Sequence, residues 1–231
     1  MKPSKSQGKY PRNAPDVIHR WAPAPNVLTA STKCQQNRWN KDASYPMKRC
    51  IIVHGWEGFP EEGWFPWLKQ QLEAHGFSVD VPAMPHADKP QMTEWVQQLS
   101  GTIGNPNADT FLVGHSLGCI TILRYLESLS ENQTIGGAVL VAGFGERLKF
   151  DELANFFTTP VNWDKVKNHG EKFSAIFSTS DPYVPLSNAD LFKAKLNANI
   201  TTLPGPGHFS GPEDNCFELP ETLEVILKLA N

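Results

Sequence analysis

Twelve residues, Thr110 to Thr121 (TFLVGHSLGCIT), constrain the fold more than any other stretch of this chain. Phe111-Leu112-Val113 is a short apolar run of the kind that forms a buried strand. Gly114-His115-Ser116-Leu117-Gly118 breaks the run in a sharp turn, and Ile120, Leu123, Leu126 and Leu129 continue it at helical spacing. Strand, Gly-x-Ser-x-Gly turn and helix are the setting in which a serine hydroxyl is pushed out at the carboxyl edge of a sheet. Glycine is needed at 114 and 118 because a Cβ there would collide with the adjoining strand and helix. The helix that begins at Leu117 points its amino end at the serine, where partial positive charge suits an anion. The pattern fixes only three of five positions and also arises by chance. Its meaning depends on what else the chain carries.

The surrounding sequence repeats the alternation of strand and helix. Cys50-Ile51-Ile52-Val53 reads as a buried parallel strand. Pro66 opens a helix with Trp67, Leu68 and Leu72 on one face, and Gly76 closes it. Phe77 to Val81 reads as a second strand, followed by a Pro-rich loop and a helix from Pro90 with Met92, Trp95, Val96, Leu99 and Ile103 inward. After the central stretch come a strand from Ala138 to Val141 and a less regular segment, Gly143 to Gly170, read as a small helical cap. A strand from Phe173 to Phe177, a helix from Ser187 to Leu196 and a strand from Ile200 to Leu203 follow. A closing helix starts at Pro220, with Leu223, Ile226 and Leu227 inward. Such alternation predicts an α/β, three-layer fold with a parallel, doubly wound sheet.

Residues 1–46 have a different character. They hold eight Lys or Arg, two acidic residues and six of the 19 prolines, with no apolar periodicity. This composition predicts a disordered basic, Pro-rich extension, with the folded domain at 47–231. A plain extension, a targeting segment and a start assigned too early, with Met47 as the true beginning, all remain open. The first two rank differently, because no amphipathic stretch supports targeting. The whole chain of 231 residues carries a formal charge of −3, which gives no footprint for nucleic acid or an anionic membrane. No apolar run approaches a membrane span, and no signal-peptide core stands at the amino terminus. Cys34, Cys50, Cys119 and Cys216 form no Cys-x-x-Cys pair. Reduced thiols in a cytoplasmic protein are the simplest expectation.

Three residues fall after strand ends in the order Ser116, Asp181, His208. A serine alcohol is inert without a base, and a base needs a partner that fixes its tautomer. His208 sits in the Gly-rich loop Pro204-Gly205-Pro206-Gly207, and Asp181 follows the preceding strand in Ser178-Thr179-Ser180-Asp181-Pro182. Either alone reads as an ordinary loop residue. Together, each after a strand, they point to nucleophilic catalysis. The rival histidines fit less well: His75 ends a helix, His19 lies in the extension, His169 lies in the cap, and His115 is expected to point away from the serine. Among rival acids, Asp190 falls inside a helix and Asp214 follows the histidine. The oxyanion formed on attack needs two N–H donors, assigned to the backbones of Leu117 and Trp56. His54, Gly55, Trp64 and Trp163 are expected to contribute to a substrate pocket, with His54 alternatively serving only to lock its loop. Glu57 is read as a solvated loop charge.

The motifs MKRCIIVHGWEG, GHSLG, SxxDPYVP and GPGHF resemble the small single-domain α/β-hydrolases of the retinoblastoma-binding-protein-nine type. The resemblance runs from about Met47 to the end. It implies a compact hydrolase whose triad matches Ser116, Asp181 and His208. With the alternation, it gives the expectation of a six-stranded sheet in the order 2-1-3-4-5-6. The expectation is therefore a serine hydrolase with no cofactor and no metal. The short excursion from Gly143 to Gly170, too small for a lid over long lipid chains, adds the expectation of carboxylic esters with small or medium acyl groups. A peptidase or amidase with the same triad is the alternative, as is a binding protein on the same scaffold. The partner is a small-molecule ester or amide, without nucleic acid or membrane; a protein partner stays open.

Overall fold

The structure is a computed structural model and describes residues 47–231; the expectation for residues 1–46 falls outside them. Its centre is a six-stranded, wholly parallel sheet in the order β2-β1-β3-β4-β5-β6, as expected. The strands are β1 (Arg49–Val53), β2 (Ser78–Asp80), β3 (Thr110–His115), β4 (Gly137–Val141), β5 (Phe173–Ser178) and β6 (Asn199–Leu203). β3, β4 and β5 are buried along their whole length, which explains why their sequences are continuous apolar runs rather than alternating ones. β2 and β6, the two edges, are partly exposed.

Helices cover both faces. α1 (Phe65–Ala74) and α7 (Pro220–Leu229) pack together on one side, over Cys50, Ile52, Phe111, Val113, Val139 and Ile176. α2 (Met92–Ile103), α3 (Leu117–Ser128), α4 (Trp163–His169) and α5 (Ser187–Leu196) lie on the other, over Ile51, Leu112, Leu140, Ala175 and Phe177. Alternate residues of each strand therefore feed two separate apolar layers. A short helix not anticipated from the sequence, α6 (Gly211–Asp214), follows the loop after β6. In α7 the fully buried positions are Thr222, Ile226 and Leu229, while Leu223 and Leu227 are half-buried.

The cap consists of a 3-10 helix, Asp151–Phe157, and α4. It is tied down firmly. The guanidinium of Arg124, buried on α3, donates to the carbonyls of Phe156 (2.9 Å) and Thr159 (2.5 Å) and to Glu127 Oε2 (2.7 Å). Asn155 Oδ1 accepts the N–H of Met92 at 2.7 Å, satisfying an otherwise free donor at the start of α2. Among the described residues no helix is long and apolar enough to cross a membrane.

Because every strand runs the same way, the turns after β1, β3, β5 and β6 all open at one edge of the sheet. The chain also reverses its direction of winding between β1 and β3, and the crevice at such a reversal is where open α/β sheets bind ligands.

Candidate active site

Ser116 lies between β3 and α3 with φ 52° and ψ −114°, a strained backbone for a residue with a side chain. Two hydrogen bonds hold it there: its N–H donates to the Val141 carbonyl at 2.9 Å, and its carbonyl accepts the Cys119 N–H at 3.0 Å. The glycines have the steric role read from the sequence. A Cβ on Gly118 would lie 2.2 Å from the Val53 carbonyl oxygen, because α3 begins directly over the end of β1. A Cβ on Gly114 would lie 2.8 Å from the backbone of Gly118 and Cys119. No side chain fits in either place.

Asp181 and His208 meet. His208 Nδ1 stands 2.8 Å from Asp181 Oδ2, and both side chains are almost wholly buried, at 10% and 3% exposure. The other carboxylate oxygen of Asp181, Oδ1, accepts the N–H groups of Tyr183 (2.8 Å) and Val184 (3.0 Å). Burial pushes the Asp181 carboxyl up, but the hydrogen bond and charge of His208, with those two N–H groups, outweigh it and hold the pKa below the ordinary value. An ionised Asp181 makes Nδ1 the protonated nitrogen of His208 and leaves Nε2 as the basic one.

Leu117 is the first residue of α3, so its N–H has no acceptor within the helix. Among the described residues the Trp56 N–H donates to no protein acceptor, whereas its neighbours Glu57 and Gly58 donate to the carbonyls of Ala87 and Gly55. Both donors are thus available at the end of the sheet, on the two sides of the winding reversal. His54 locks the loop, the second of the roles read for it. It is buried, its Nε2 accepts the Met84 N–H at 3.0 Å, and its Nδ1 donates to the Gly55 carbonyl at 2.8 Å. Burial lowers its pKa, the direction that favours the neutral ring this bonding pattern requires. Gly55 presses against the elbow: a Cβ there would stand 3.4 Å from Ser116 Cβ. Glu57 is exposed, as expected, with φ 58°.

Trp64 corrects an expectation. It is fully buried between Phe65 and His115, and its indole N–H donates to the Phe209 carbonyl at 3.2 Å. It anchors the loop after β6 from inside the core and offers no surface to a substrate. Trp163 lies against the Phe192 ring and fills the space beside Gly145, where a Cβ would come within 2.3 Å of it. It packs the cap onto α5 and the loop after β4. Two aromatic residues missed in the sequence flank the site instead. The Tyr183 ring meets His208 edge-on at 5.1 Å; Phe150 lies 6.4 Å from Tyr183 and 5.7 Å from Trp56. The DPYV motif contained Tyr183 in plain view, but nothing local distinguished it from a turn residue; Phe150 had no motif at all. His115 and Asp214, set aside as rivals, both reach the backbone of the His208 loop.

Comparisons with known proteins agree with this architecture. The Bacillus subtilis protein YdeN is 33% identical over 181 residues, covering 78% of this chain and 94% of YdeN. The serine hydrolase RBBP9 of Rattus norvegicus is 25% identical over 170 residues, covering 71% and 89%. The crystal structure of the ydeN gene product superposes with a TM-score of 0.75 at 31% identity, covering 79% of this chain and 98% of that one. Est1E from Butyrivibrio proteoclasticus, 18% identical with a TM-score of 0.60, shares the fold. The serine hydrolase family model matches residues 50–226, and the chain belongs to that family, in the RBBP9 type.

Proposed function

We propose that this chain hydrolyses carboxylic esters of small or medium acyl groups, with Ser116 as nucleophile, His208 as general base and acid, and Asp181 as the group that orients His208. The observation that carries the reading is the 2.8 Å contact between His208 and Asp181, at the same sheet edge as the strained elbow of Ser116. His208 Nε2 removes the hydroxyl proton as Ser116 Oγ attacks the ester carbonyl carbon. The oxyanion of the tetrahedral intermediate accepts the N–H groups of Trp56 and Leu117. Collapse releases the alcohol, which takes the proton from His208, and leaves an acyl-serine. Water, deprotonated by His208, attacks the acyl carbonyl; the acid departs and Ser116 regains its proton.

Two features support short acyl groups. The cap is small and fastened by Arg124 and Asn155, unlike a lid that swings away for long lipid chains. Trp56, Phe150 and Tyr183 form an apolar border beside His208, suited to a compact acyl group. The unpaired, buried thiols Cys50, Cys119 and Cys216 favour a reducing compartment, and we place the enzyme in the cytoplasm.

The test is a series of p-nitrophenyl esters of rising chain length beside aminoacyl amides, with kcat/KM for each. The expected result is a maximum at short or medium chains. A methylene in an apolar pocket is worth roughly 1–3 kcal/mol, so the decline should be graded. A kcat/KM that climbs into long chains, or amides that outrun every ester, would overturn the substrate assignment.

A further inference from the structure

Gly207, His208, Phe209 and Ser210 are consecutive, and each has a backbone group held by a side chain outside the four. The Gly207 N–H donates to Ser180 Oγ at 3.1 Å. The His208 N–H donates to Asp214 Oδ2 at 2.8 Å, and the Ser210 N–H reaches the same oxygen at 2.9 Å. The His208 carbonyl accepts His115 Nε2–H at 2.8 Å, and the Phe209 carbonyl accepts the Trp64 indole N–H. The loop has little regular structure of its own: Gly205, Gly207 and Phe209 all have positive φ, at 87°, 57° and 59°.

We infer that Asp214 and His115 are positioning residues that clamp the backbone of His208 from both sides and so set where its imidazole stands relative to Ser116. The inference rests on the triad assigned above. Neither residue touches the reacting atoms. Asp214 fixes the peptide N–H, His115 fixes the peptide carbonyl, and Asp181 then has only the side-chain torsions left to settle. The two clamps suit their tasks. One carboxylate oxygen serves two adjacent N–H groups, a charge-assisted arrangement stronger than a neutral one. The Asp214 carboxylate also fits only because residue 207 has no Cβ: one there would lie 1.9 Å from Asp214 Oδ1. His115 is buried beside Trp64 and Phe65, where burial and the nearby His208 lower its pKa to about 3. At neutral pH it is uncharged, and its Nε2–H donates to the His208 carbonyl.

The test uses the full chain, with Asp214→Ala, His115→Phe and Asp214→Asn. Active sites are counted with a fluorophosphonate, and kcat is expressed per labelled serine. A displacement of about 1 Å of a catalytic group costs up to about a hundredfold, so Asp214→Ala and His115→Phe should each lose roughly 10- to 100-fold in kcat with KM unchanged. Asp214→Asn keeps an oxygen acceptor and should recover most of the loss. A purely structural role would lower the fraction of labelled protein and the Tm while leaving kcat per labelled serine at the parent value. That result in both Asp214→Ala and His115→Phe overturns the inference; if Asp214→Ala does not fold, His115→Phe decides on the same criterion. Equal loss in Asp214→Asn and Asp214→Ala also overturns it, since the acceptor would then not matter. Failure of the triad itself looks different: Ser116→Ala would stay active. A dead Ser116→Ala beside unimpaired clamp variants removes the clamp alone.

Discussion

At Ser116 the chain holds itself: the N–H and carbonyl of the serine bond to the backbone of Val141 and Cys119, and the turn closes because Gly114 and Gly118 leave no room for anything else. At His208 the chain is held by others, through the side chains of Ser180, Asp181, Asp214, His115 and Trp64. Sterics in the first turn are severe, because the colliding atoms are backbone: Gly118 and Cys119 within the turn for Gly114, and the end of β1 for Gly118. The second turn is permissive by itself, and its order is borrowed from residues up to 145 positions away in sequence, as with Trp64 and Phe209. The comparison teaches that the two turns should fail differently. Damage to the elbow should cost folding and activity together, whereas damage around His208 should cost activity first.

The largest effect expected is that of Ser116→Ala. Turnover of a p-nitrophenyl ester should fall by about three to six decades, with labelling by a fluorophosphonate abolished and the far-UV circular dichroism unchanged. Retained turnover would move the nucleophile elsewhere and dissolve the comparison. Asp181→Asn comes next. It keeps the shape of the side chain but presents the wrong hydrogen-bonding partner to His208 Nδ1, and kcat should drop by about four decades with little change in Tm. A large loss of Tm would show that the loop after β6 depends on this pair for folding as well as chemistry.

Gly118→Ala should behave in the opposite way. The new methyl would meet the Val53 carbonyl oxygen at 2.2 Å, and neither α3 nor β1 can yield cheaply. Overpacking of this kind costs about 1–3 kcal/mol, and a backbone clash belongs at the upper end. Urea unfolding should show the lowered midpoint, accompanied by weaker labelling of Ser116. An unchanged midpoint would mean that the elbow is as adaptable as the histidine loop.

Acid sharpens the comparison further. His115 has a folded pKa of about 3, set first by burial and then by the nearby His208, against about 6.5 when unfolded. Between those values the unfolded chain binds the extra proton and the folded chain does not. Stability is therefore fully present above about pH 6.5 and is lost as pH falls towards 3, by up to about 1.4 kcal/mol per pH unit for this group. Urea midpoints measured from pH 7 down to 4.5 should fall along that slope. His115→Phe should flatten it, and an equally steep slope in that variant would assign the acid sensitivity to other groups. The smallest effect concerns neither turn: a chain beginning at Met47 keeps both, and its Tm and esterase rate should match those of the full chain.

Much of this molecule was legible residue by residue. Apolar runs at 50–53, 111–113, 138–141 and 173–177 can only be strands buried on both faces, and the helical spacing between them forces parallel strands with crossovers. The elbow was legible because strand, Gly-x-Ser-x-Gly turn and helix stand in one run of sequence, although β1 and β4 complete its packing. Trp64 was misread because an aromatic residue beside a functional loop has the same sequence signature whether it faces the substrate or the core.

What the sequence determined by itself is whatever depends on neighbours along the chain: the strands and helices, the turn that holds the serine, and the succession Ser116, Asp181, His208. What only the tertiary structure decided is which distant side chains share a point in space. Asp181 bonds across 27 positions to His208, His115 reaches over 93 positions to the same residue's carbonyl, and Tyr183 and Phe150 come together to border the site. No periodicity records such pairs, because hydrogen bonds and ring contacts between loops act at distances of a few ångströms in space and leave no spacing rule along the chain.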